Sequence, residues 1–183
     1  PFGYFWYKKT LVVSSIDGFV LSLVKKLKLV DSINLMDVPT VMNFLAEKGV
    51  VATETAAHVS QTQFRSFDFT PRVGAYLING EEVPFVEYSL DQVEDCPDCV
   101  WYVDNFGNCK TTILPDQVNF EEEKIIATNV GELKCCRQLK GVKNAESALT
   151  IGSSGIENHR FCEIVVQGKS ASKVLNLEVG SFV

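Results

Sequence analysis

The stretch Asp91-Gln92-Val93-Glu94-Asp95-Cys96-Pro97-Asp98 decides how the chain is organised. It is acidic, holds a proline and carries no apolar period, so it reads as a linker between two domains, 1–93 and 94–183. Before it, strands and helices alternate. Residues 4–7 and 11–13 read as short buried strands around a Lys8-Lys9 turn. Phe19, Val20, Leu23, Val24, Leu27 and Val30 recur at helical spacing and predict an amphipathic helix. Asp37 is placed as an N-cap, with Pro39 in the first turn, Val38, Val41, Met42 and Leu45 on the buried face, and Gly49 as the stop. Residues 53–65 are polar without a clear period, and a further helix is expected from Pro71 to Gly80. After the linker the helical period nearly vanishes. Residues 100–103, 111–114, 124–130, 133–139, 147–151 and 161–166 read as strands between turns of Gly, Asn and Asp, and 170–175 as one short helix. The expected fold class is α/β followed by all-β, the second domain a small antiparallel barrel or sandwich.

Composition bounds the function. Of 183 residues, 17 are basic and 23 acidic, a net charge of −6, which argues against a broad basic surface for nucleic acid. The longest strongly apolar stretch, 19–30, is interrupted by Lys25, Lys26 and Lys28 and is too short for the ~20 apolar residues that span a bilayer. The six cysteines are expected as reduced thiols in a cytoplasmic protein, because a chain of this size needs no disulfide framework. The sequence opens on Pro1 and an aromatic run with no charged leader, which reads as a chain starting within a domain.

Three constellations could carry chemistry. The first is the turn Asp104-Asn105-Phe106-Gly107-Asn108 between two strands. Asp and Asn accept backbone N–H bonds and Gly takes positive φ, so the turn has a purely structural reading. The same carboxylate, amide and ring suit an ammonium-bearing or zwitterionic ligand. The second is Ile151-Gly152-Ser153-Ser154-Gly155, whose small residues let backbone N–H groups approach an anion, or simply form a hairpin loop. The third is Cys96-Pro97-Asp98-Cys99, which with Cys135-Cys136 and His159-x-x-Cys162 offers ligands for a structural zinc. His58 and His159 sit in polar segments, and neither a nucleophile elbow nor a glycine-rich phosphate loop is present.

Four segments in order resemble one family. Val103-Asp104-Asn105-Phe106-Gly107-Asn108, with Thr112-Ile113 after it, is similar to V-D-x-F-G-N-x-x-T-N-I. Gly152-Ser153-Ser154-Gly155, then Glu163-Ile164-Val165-Val166-Gln167-Gly168-Lys169-Ser170-Ala171, resembles N-S-x-G-x-L-E-I-A-V-N-x-G-x-A. Residues 13–21 resemble V-G-P-D-N-G-x-L, and 64–71 with Ala75-Tyr76-Leu77 and Gly80 resemble F-H-G-R-D-x-F-A-P…A-H-L-x-x-G with one residue deleted. These belong to the S-adenosylmethionine (SAM) hydroxide adenosyltransferases, or SAM hydrolases, relatives of fluorinase and chlorinase.

The resemblance implies an α/β domain followed by a β-barrel domain, in a homotrimer that holds SAM between neighbouring subunits. It implies attack of water or hydroxide on the ribose C5′ carbon, releasing methionine and adenosine, with SAM as substrate and no other cofactor. Carried over, Asp104 and Asn108 would bind the methionine ammonium and Phe106 would pack on the substrate. Ser153, with Ser154, would hold the methionine carboxylate, and the backbone of 163–165 would border the adenine. Phe64 and Ser66 would fall near the reacting carbon. The family's motifs T-D-F-G-x-x-D and V-V-D-P-G-V-G are not in this sequence, which implies an N-terminally truncated member. Its histidine in F-H-G-R-D is replaced by Phe64 or Arg65, leaving Arg65 the nearest polar group and the catalytic residue unassigned. Two alternatives stand beside hydrolysis: a divergent protein that binds SAM or adenosine without turnover, and a small interaction protein built on structural zinc.

Overall fold

The aromatic run at the start of the chain forms a strand whose two faces are both packed. In the computed structural model, which describes residues 1–183, β1 (Phe2–Tyr7) pairs antiparallel with β2 (Thr10–Ser15) on one side. A short helix α1 (Ser22–Lys26) precedes β3 (Ser32–Met36), which pairs with the other side of β1. There follow α2 (Val38–Glu47), α3 (Thr53–Gln61), α4 (Arg65–Asp68), α5 (Thr70–Ile78) and β4 (Val86–Ser89). The sheet order is β2-β1-β3-β4, antiparallel throughout. Side chains alternate across a strand. Phe2 and Tyr4 therefore enter the core made with Val41, Met42, Leu45, Val59, Phe69 and Val73. Phe5 turns to the opposite face, into a core with Leu21, Ile33, Leu90 and Val93. Burial on both faces is why the strand reads as a continuous apolar run instead of an alternating one.

Asp37 caps α2 as its position predicts: Oδ2 accepts from the backbone N–H of Thr40 at 3.0 Å, and Val38, Val41, Met42 and Leu45 are buried. Three other expectations need correction. The helix predicted over 19–30 is one short turn, because Gly18 and Lys28 both take positive φ and bracket it, leaving Phe19 and Val20 exposed. The polar segment 53–65 is mostly helix, in which only Ala56 and Val59 are buried. The acidic stretch is not a bare linker at its start. Leu90 and Val93 are buried, and Lys25 Nζ donates to the carbonyls of Asp91 and Val93 at 3.2 and 2.6 Å and pairs with Asp95 at 2.8 Å. The chain divides into two compact units, Pro1–Cys96 and Pro97–Val183.

The second unit contains β5 (Val100–Val103), β6 (Cys109–Thr111), β7 (Ile125–Thr128), β8 (Gly131–Cys136), β9 (Ser147–Ile156), β10 (His159–Val166) and α6 (Ala171–Leu175). The protein is thus α/β followed by a β-rich unit, but the expected barrel is an open sheet ordered β5-β6-β10-β9-β8-β7. Two local features account for this. The outer edge of β5 is taken by the chain's own last residues: Val100 donates to Ser181 O at 2.9 Å, and Gly180 donates to Val100 O at 2.8 Å. The connection after β8 brings β9 alongside it in parallel, so the sheet is not a simple antiparallel meander. One face packs Val100, Leu133, Leu149, Ile164 and Leu177 into the main core, while Cys136, Val142, Ala148 and Val165 make a smaller cluster. No disulfide joins any of the six cysteines. No helix is long and apolar enough to cross a membrane.

Leu149 is 1% exposed in the sheet core and Ile125 61% exposed on the edge strand. Leu149→Ala should cost about 2–5 kcal/mol in urea unfolding, as large-to-small core changes do. Ile125→Ala should stay within about 0.5 kcal/mol, as surface changes do. Equal effects would contradict the assignment of the core face.

Candidate functional site

The turn between β5 and β6 is built by one carboxylate. Asp104 Oδ1 accepts from the backbone N–H groups of Phe106 at 2.9 Å and Asn108 at 3.0 Å. Its Oδ2 accepts from Asn108 Nδ2 at 3.2 Å. Asp104 N in turn donates to Asn108 O at 3.1 Å, closing the turn. Gly107 is required twice over. Its φ is +83°, and a Cβ there would lie 2.9 Å from the Ser170 Cα and closer still to the Ser170 side chain. This tight turn leaves the Phe106 ring 81% exposed.

Beyond the turn the sheet register brings in two residues that the sequence reading did not single out as side chains. Lys110 on β6 lies directly opposite Glu163 on β10. The two form an ion pair, each side chain nearly buried. Lys110 Nζ also stands 3.7 Å from Asp104 Oδ2 and 3.4 Å from Ser153 Oγ. Asp104, Phe106, Asn108, Lys110, Ser153 and Glu163 together line one cleft of about 790 Å³, with Leu139 and Ser170 also on its wall. That volume is within the ordinary range for small-molecule sites.

Ser153 reaches this cleft through a β-bulge. Ile151 pairs with Cys162 and Gly155 with Arg160, so residues 152–154 face Phe161 alone. A bulge breaks strand alternation and re-aims a side chain. Gly152 permits it, since a Cβ there would sit 2.9 Å from Phe161 O and 3.2 Å from Glu163 Cβ. Arg160 Nη1 donates to Ser153 O at 2.7 Å and braces it. Ser154 does not line the cleft; its Oγ is buried without a hydrogen-bond partner. Phe64, Arg65 and Ser66 lie in the first unit at the start of α4. Phe64 and Ser66 are exposed, and Arg65 Nε is buried without a partner.

Two of the buried thiols, Cys109 and Cys162, are poor nucleophiles. Burial first, then the Asp104 and Glu163 charges, push Cys109 up to about 11, and burial with the neighbouring Cys135 pushes Cys162 up to about 12. The zinc ligands that the sequence offers do not gather into a group of three. Cys135 and Cys162 belong to the sheet core, and the cluster of three metal-ligating side chains that does form is Glu122, Glu123 and Cys136. Those carboxylates are already engaged, Glu122 by the backbone N–H of Arg137 and Glu123 by Lys134.

Burial acts to raise the Asp104 carboxyl, but the hydrogen bonds from Asn108 and Phe106, with the Lys110 charge, outweigh it and hold the group below its ordinary value. A carboxyl lowered by folding stabilises fully above its unfolded value, about 3.9, and that stabilisation is lost as pH falls through the folded value. Asp104→Ala should therefore cost about 1.5–3 kcal/mol at pH 7, the range for hydrogen bonds to a charged group. Urea unfolding of both proteins should show the gap closing as pH is lowered from 5 toward 2. A gap independent of pH would mean that the ionised carboxylate does not hold the turn.

Known proteins resemble this chain at two levels, sequence and fold. Residues 98–183 match the SAM hydroxide adenosyltransferase C-terminal domain. An uncharacterized conserved protein from Thermotoga maritima has a similar structure, with TM-score 0.62 and 19% identity over 98% of this chain and 68% of that one. A conserved hypothetical protein from Thermus thermophilus matches at TM-score 0.46 and 21% identity, over 63% of this chain and 49% of that one. No curated protein matches the sequence. The Thermotoga likeness bears on the fold, while the domain match bears on the family: residues 98–183, which carry the whole cleft, match the C-terminal domain of the SAM hydroxide adenosyltransferases.

Proposed function

We propose that the protein is a SAM hydrolase that binds its substrate's amino-acid end in the cleft of the second unit. The observation that carries the reading is the meeting of Asp104, Phe106, Asn108 and Ser153, from two turns far apart in sequence, around one cavity. A methionine zwitterion needs a carboxylate near its ammonium and donors near its carboxylate, and both are there. In the reaction, the oxygen of water or hydroxide forms a bond to C5′. The C5′–S bond breaks with its electron pair going to sulfur, and the proton is lost to solvent. Methionine leaves as a neutral thioether, so no acid is needed. The site's task is to hold both ends of the substrate in line with a desolvated nucleophile. The family likeness also supports a homotrimer.

A second reading, binding without turnover, is favoured by one observation. The segment that resembles the family's F-H-G-R-D has no histidine, only Phe64 and Arg65 at that place. Incubation of the purified chain with SAM, followed by chromatography for adenosine and methionine and by calorimetry for binding, separates the two. Hydrolysis predicts adenosine and methionine in equal amounts. Binding with no products would overturn hydrolysis in favour of the second reading. Neither binding nor products would overturn both.

A further inference from the structure

We propose that Lys110 makes the cleft selective for the ligand's carboxylate, and so for SAM over its decarboxylated form; this deepens the SAM-binding reading and rests on it. Lys110 is not a solvated surface lysine. Its side chain is 13% exposed, its partner Glu163 is 12% exposed and Asp104 is 18% exposed. Cross-strand pairing between β6 and β10 fixes its stem opposite Glu163, and its Nζ lies within 3.4 Å of the Ser153 hydroxyl. An ammonium and a hydroxyl side by side form a carboxylate site, while the Asp104 carboxylate offers a place for an ammonium.

The placement of the charges, not their sum, points the same way. Two carboxylates and one ammonium leave the inner wall at −1. Lys169 also lines the cleft but is exposed, and water screens it. SAM carries an ammonium, a sulfonium and a carboxylate, a net charge of +1, and its ammonium can meet Asp104 while its carboxylate meets Lys110 and Ser153. Decarboxylated SAM carries +2 and has nothing to offer Lys110 or Ser153. It would leave the nearly buried Lys110 facing a second cation with no carboxylate between them, and like charges repel. Adenosine carries no charge at these positions and is indifferent to Lys110.

Calorimetric titration of the full chain with SAM, decarboxylated SAM and adenosine tests this. The unaltered protein should bind SAM at least tenfold more tightly than decarboxylated SAM. Lys110→Met brings the wall to −2, and should weaken SAM about tenfold, abolish or reverse the preference, and leave adenosine unchanged. Lys110→Arg, which keeps the charge, should keep the preference. Circular dichroism establishes that each variant is folded. Equal affinity of the unaltered protein for the two sulfonium ligands overturns the proposal, whether or not Lys110→Met folds. So does a Lys110→Met variant that weakens all three ligands alike. Failure of the unaltered protein to bind any of the three overturns the SAM-binding reading itself.

Discussion

The hydrogen bonds to Asp104 Oδ1 are the interaction on which the site depends. By accepting the N–H groups of Phe106 and Asn108, one carboxylate oxygen fixes the turn that joins β5 to β6. The consequences run outward from there. Asn108 is drawn back over Oδ2, Phe106 is pushed into solvent, and β6 starts at Cys109 in the register that sets Lys110 against Glu163. The close seat of Gly107 on Ser170 then ties the turn to the start of α6, and Ser172 N donates to Gly107 O at 2.9 Å. The structural and the ligand-binding readings of this turn are therefore compatible. One oxygen of Asp104 builds the turn, and the other is shared among polar groups on the cleft wall.

An ion pair as enclosed as that of Lys110 and Glu163 is a weak source of stability, because desolvating two charges offsets most of their attraction. Its value is better sought in the field it creates. With Asp104 nearby, it gives a fixed, asymmetric arrangement of charge on the cleft wall. Such preorganised groups bind a ligand without the reorganisation that flexible side chains require. The bulge at 152–154 adds the hydroxyl that Lys110 faces, and only glycine at 152 allows the strand to pass so near Phe161 and Glu163.

What was legible in the sequence was what local chemistry decides. Asp37, Pro39 and the apolar spacing of α2 announce that helix, and Asp104 to Asn108 announce their turn. Helix α3 was hidden because its burial is confined to Ala56 and Val59, too little to make a period. Strand β3 was hidden because Ser32–Met36 is short and is made a strand by lying between β1 and β4. That the β-rich sheet does not close into a barrel could not be read at all, since the edge of β5 is taken by the last residues, some eighty positions away. Within the site, Asp104, Phe106, Asn108 and Ser153 were accessible through motifs. Lys110 and Glu163, 53 residues apart, meet only through strand pairing. A lysine in a short strand and a lone glutamate in the buried run 161–166 were the available signal. The choice of Ser153 over Ser154 depends on the bulge, which reverses the alternation that a regular strand would impose.

A crystal structure of the chain with SAM bound tests the ligand-binding role of the cleft. The ligand's amino-acid moiety should lie in the cleft of the second unit. Its carboxylate should lie within hydrogen-bond distance of Lys110 Nζ and Ser153 Oγ, and its ammonium within reach of Asp104 Oδ2. SAM bound elsewhere, with the contacts among Lys110, Glu163 and Asp104 unchanged and no ligand beside them, would contradict it.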